Sequence, residues 1–137
     1  SVVPDPCAAG QIGTTVEQVN QHMHEFDDTA LLASNMQGEQ LSSAIANLQK
    51  IRREADDEQV PDCLTKLKAY QIEHMNSVIN TLIAFVNGTD QQTIDQGINI
   101  ARQQHDQYTL ELARLLGLNV VRATPAAVGT PIGTPTP

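Results

Sequence analysis

The chain has 137 residues, 40% of them apolar, with two Phe, two Tyr, no Trp and a net charge of −8. That length supports one domain with its own core and falls short of the usual size for two. An acidic chain this poor in aromatics lacks both the basic footprint and the exposed ring faces of a nucleic-acid binder, and no apolar run is long enough to span a membrane.

Pro4, Pro6, Gly10 and Gly13 mark residues 1–13 as an irregular lead-in, and the start SVVPDPC reads as a mature terminus after removal of a targeting segment. Thr14 or Thr15 then caps a first helix over about 15–36, with Glu17 at the capping-box position. Val16, Val19, Met23, Phe26, Ala30 and Ala33 recur every three or four residues, the seam of an antiparallel bundle helix. A second helix over about 39–57 carries Leu41, Ala44, Ile45, Leu48, Ile51 and Ala55 on one face. Gly38 favours a hairpin between the two helices over one continuous helix. Asp56, Asp57 and Glu58 sit at the end of the second helix, where the dipole disfavours negative charge.

Val60-Pro61 stops that helix, and Pro61 opens a third that runs to about residue 87. Its stripe is Leu64, Leu67, Gln71, Met75, Val78, Leu82 and Val86, and Asn87-Gly88 permits the left-handed backbone that ends it. Asn87-Gly88-Thr89 is also a formal glycosylation sequon. Thr89 or Asp90 caps a fourth helix over about 90–116, with Ile94, Ile98, Ala101, His105, Tyr108, Leu112 and Leu115 on one face and Gly117 as its stop. Residues 118–137 are rich in Pro, Gly and Thr and read as a linker or disordered tail, dispensable for folding beyond about Arg122.

Four amphipathic helices joined by short turns predict an all-α, antiparallel up-down-up-down four-helix bundle over 14–117. In that topology the first and third helices start at the same end, so Cys7 and Cys63 are expected to form one disulfide, as in an exported chain. Their spacing fits no zinc, redox or haem-attachment motif.

The segments EFDDTALLAS, LSSAIANLQKIRREAD and VPDCL…FVNGTD resemble a recurrent pattern in exported bacterial α-helical domains of four-helix type with a P-x-C third helix. The resemblance covers roughly residues 7–117. It implies export, a helical fold and a partner cysteine near the amino terminus, and it brings no activity and no functional residue. The Pro-Thr tail is similar to linkers around surface proteins.

No catalytic motif is present: there is no Glu-x-x-His pair, no His-Glu-x-x-His and no Gly-x-Ser-x-Gly. His22 and His24 project about 200° apart on a helix and cannot share an ion. Arg52 and Asp27 lie at comparable heights and are expected to form a structural ion pair. His105 stands out at the centre of its apolar stripe. Met23, Met75 and His105 are expected within one turn of the same height, which with His74 would make a soft copper site or a Met and His pair for b-type haem. Core methionines and a hydrogen-bonded histidine account for the same residues. The leading expectation is therefore a non-enzymatic exported module of the cell envelope or extracellular space, without a cofactor. It would act structurally or by binding a protein partner that the sequence does not identify, and an anchor or further domain is left to lie outside this stretch. A periplasmic or extracellular metal or haem carrier is the alternative.

Overall fold

The computed structural model describes residues 4–117, and the segment 118–137 lies outside them. The elements are α1 (Ile12–Thr15), α2 (Glu17–Ala33), α3 (Gly38–Asp57), a single 3-10 turn (Asp62–Leu64), α4 (Thr65–Val86) and α5 (Gln91–Leu115). The described chain is all-helical, and its four long helices form a bundle.

The amino-terminal entry departs from the expected capping box. Helical backbone begins at Ile12 and runs through Val16 into α2 without a side-chain cap. The Thr15 hydroxyl instead donates to the Pro6 carbonyl at 2.7 Å and the Gln11 carbonyl at 2.9 Å, tying the lead-in to α1. Cys7 and Cys63 are bonded, with an S–S distance of 2.06 Å, and fasten this lead-in to the base of α4.

Residues 34–37 separate α2 from α3, so the two form a hairpin, and Gly38 has a φ of 58° that only glycine adopts without strain. The acidic end of α3 has a partner that helix periodicity did not show. Lys68 Nζ donates to the carbonyls of Asp56 at 2.6 Å and Glu58 at 2.7 Å, a cation placed on the negative end of the helix dipole. Asp90 caps α5 by accepting from the Thr93 N–H at 3.2 Å.

The core divides into two apolar clusters. One joins Phe26, Ala33, Leu41, Ala44, Ile45, Leu48, Ile51, Met75 and Ile79. The other joins Val16, Val19, Met23, Leu64, Leu67 and Tyr108 around the disulfide end.

Side-chain size sets the spacing between helices. α5 packs closely along α4, α4 on α3 and α3 on α2, whereas no comparably close approach joins α2 to α5 among the described residues. Gly97 explains part of this asymmetry: a Cβ there would lie 2.3 Å from Thr81 Oγ1, so only glycine lets α5 come this near α4. The far end of the α2 and α5 seam stays open as a result. Ile98, which lines that opening, is 42% exposed, and Val86 at the end of α4 is 49% exposed, although both are expected to face the core.

Candidate functional site

Between the two apolar clusters runs a belt of polar side chains. The buried Gln71 amide donates to the Val19 carbonyl at 2.7 Å, and the Tyr108 hydroxyl donates to Asn20 Oδ1 at 3.0 Å. Burial pushes the Tyr108 hydroxyl well above its usual range, so it remains a donor.

Asp27 of α2, His74 of α4 and His105 of α5 meet at the centre of this belt. His105 Nε2 lies 2.8 Å from Asp27 Oδ2, and His74 Nε2 lies 3.3 Å from Asp27 Oδ1. The two imidazole rings are 4.9 Å apart and meet edge to face, with Phe26 edge-on to His74 at 5.9 Å. The His74 side chain is 8% exposed, against 37% for His105 and 35% for Asp27, so the cluster is closed toward α4 and open between α2 and α5.

Hydrogen bonding settles one proton. His74 Nδ1 lies 2.8 Å from the Ala101 carbonyl oxygen, which can only accept, so Nδ1 carries a hydrogen. In the neutral ring Nε2 would then present a lone pair to a carboxylate oxygen. The small side chain of Ala101, one turn from Gly97, lets the imidazole reach the backbone of α5.

Electrostatics follow the same geometry. Partial burial pushes the Asp27 carboxyl up, but hydrogen bonds from His105 and His74 together outweigh it and hold it at about 2. The Asp27 hydrogen bond raises the His105 imidazole above its ordinary value, against the opposing effect of burial.

The expected site residues are thus redistributed. Asp27 pairs with two histidines, and Arg52 takes part in no salt bridge among the described residues, because the Asp27 carboxylate reaches α4 and α5 and not α3. Met23 and Met75 are buried in different apolar clusters and act as core residues, so the donor set gathered with His105 and His74 is completed by a carboxylate. His22 turns toward Glu58 at 3.3 Å, while His24 bonds Asn20 on the exposed side of α2 at 3.4 Å, so those two histidines stay apart. His74 is the buried histidine of the belt. Its position beside Met75 on the α4 stripe was the available signal, since residues 71, 74 and 75 share one helix face.

Next to the belt, the divergence of α2 from α5 leaves an apolar cleft of about 650 Å³, walled by Ala30, Leu41, Val78, Leu82, Ile94 and Ala101. Asn35, Gln37 and Gln91 lie at its outer end, and Ala30 and Ala101 stand one turn from Asp27 and His105. The chain matches no protein-family model, no curated protein and no solved structure.

Proposed function

We propose that this domain is a non-enzymatic exported interaction module whose working face is the open α2 and α5 end of the bundle. Its partner would be an amphipathic helical segment of another protein, with an apolar stripe and basic edges. The observation that carries the reading is the apolar cleft together with its surroundings. Phe85 and Ile98, which line the cleft, are 55% and 42% exposed, and exposed apolar surface of this kind marks interaction sites. The two helices that form the α2 and α3 side of the cleft come from a segment, residues 1–49, with six carboxylates and no Lys or Arg, and Asp95 follows the cleft residue Ile94 on α5. A groove between diverging helices is the usual seat of a helical ligand that buries its i, i+4 side chains.

Placement in the periplasm, on the cell surface or in the extracellular space is supported by the bonded cysteine pair, which persists in oxidising compartments, and by the tail composition. The test uses a synthetic helical peptide with leucines along one face and lysines along its edges, titrated into isotope-labelled protein. Chemical-shift changes around Ala30, Leu82, Phe85 and Ile98, lost in Phe85→Asp, are expected. Shifts confined to other faces, or tighter uptake of a fatty acid than of the peptide, would reject a helical partner.

A further inference from the structure

We infer that Asp27, His74 and His105 constitute a binding site for one divalent transition-metal ion of the zinc and copper class, held jointly by α2, α4 and α5. The inference is independent of the cleft and its occupant.

The donor set comes first. Two imidazoles and one carboxylate, each on a different helix, place one ligand atom apiece within 4.8 Å of one another. Around a tetrahedral zinc ion, with ligand bonds of about 2.0 to 2.2 Å, donor atoms lie roughly 3.3 Å apart. Each imidazole already reaches the carboxylate at close to that value, His105 Nε2 at 2.8 Å from Oδ2 and His74 Nε2 at 3.3 Å from Oδ1.

The surroundings of His74 distinguish this arrangement from an ordinary ion pair. Histidines that bind metals characteristically donate the second ring N–H to a backbone carbonyl or carboxylate, which fixes the tautomer and aims the free nitrogen. His74 has that bond, from Nδ1 to Ala101 O, and its Nε2 faces the Asp27 oxygen. A structural Asp and His pair needs one histidine, and His105 supplies it at 2.8 Å. A second, almost fully buried histidine, already committed through Nδ1 and directed at the same carboxylate, is unexplained by pairing alone.

Chemistry selects the metal. Imidazole and carboxylate donors suit zinc and divalent copper, whereas the methionine-containing set expected from sequence would have favoured cuprous ion. Both cysteines are in the disulfide and offer no competing thiolate. Three protein ligands leave a further position for water from the open side, as in zinc sites that exchange a ligand. A bound ion would take the place of the hydrogen between His105 Nε2 and the Asp27 carboxylate and link α5 to α2, the least tightly joined neighbours in the bundle.

The experiment titrates the chelator-treated 137-residue chain with zinc sulfate alone, and then copper sulfate alone, by calorimetry near neutral pH, with cobalt absorption as a coordination readout. One ion per chain, a thermal midpoint that rises until one equivalent is bound, and visible cobalt bands of low-coordinate type are expected. His105→Ala, at a half-exposed position where folding is retained, should lose at least about 100-fold in affinity, more than typical second-layer changes. A His22→Ala, His24→Ala double variant should bind unchanged. Absence of stoichiometric binding, unchanged affinity in His105→Ala, or loss in the His22 and His24 variant would overturn the site. Peptide binding at the cleft in Asp27→Asn reports on the interaction reading separately.

Discussion

At the scale of single residues, the Asp27 carboxylate is held ionised by two imidazoles although burial opposes its charge, and this gives stability a definite pH dependence. In metal-free protein the Asp27 contribution is fully present above its ordinary value of 3.8 and is lost as pH falls toward about 2. The His105 contribution is fully present below its ordinary value of 6.5 and is lost as pH rises through its raised value. Both act together between about 4 and 6.5. Thermal melts of wild type and Asp27→Asn, in the presence of a chelator, should therefore differ most in that window, with the difference shrinking as pH falls toward about 2 or rises through the raised His105 value. The two histidines should also differ in weight. His74→Ala removes a buried ring with hydrogen bonds at both nitrogens and should cost about 2 to 3 kcal/mol in denaturant unfolding. His105→Ala, on the half-exposed side of the same carboxylate, should cost about 1 kcal/mol or less.

Among the helices, the closeness of α4 and α5 depends on a residue that helix propensity alone would disfavour. Alanine in place of glycine at an unconstrained helical position stabilises by roughly 1 kcal/mol. At Gly97 the added Cβ would meet Thr81 Oγ1 at 2.3 Å and the Thr81 Cβ and Cγ2 at 3.2 Å, and the Thr81 hydroxyl is itself bonded to the Ser77 carbonyl. Gly97→Ala should thus destabilise by about 1 to 3 kcal/mol despite its better propensity. Adding Thr81→Ala should restore most of that loss, and equilibrium unfolding of the single and double variants measures both. The end of α3 offers a second check. Lys68→Met keeps the apolar stem but removes both bonds to the α3 carbonyls, and a loss of about 1 kcal/mol is expected.

For the whole molecule, the Cys7 to Cys63 bond closes a sequence separation of 56 residues and holds the irregular lead-in against the base of α4. On the chain-entropy account such a loop stabilises the fold by about 4 kcal/mol. Reduction, or the paired Cys7→Ser and Cys63→Ser variant, should lower the thermal midpoint while the helical circular dichroism of the folded state is kept. Unchanged melting would mean that residues 4–16 contribute little to the cooperative unit.

Periodicity and punctuation made much of this architecture legible in the chain itself. Apolar residues three and four apart mark one face on each helix, Val60-Pro61, Gly88 and Gly117 end them, and two cysteines near like ends of a bundle predict their bond. Those signals act within a helix or at its ends, where the 3.6-residue turn fixes which side chains share a face. Which helix a face meets, and how closely, is not contained in that period. Asp27 could be set by height beside Arg52, and His105 beside Met23 and Met75, but height leaves the rotation and spacing of neighbouring helices free. The tertiary structure decided those through Gly97 and Ala101, small residues that draw α5 onto α4. That approach brings the Ala101 carbonyl to His74, aims His74 and His105 at Asp27, and leaves the α2 and α5 seam apart as the cleft.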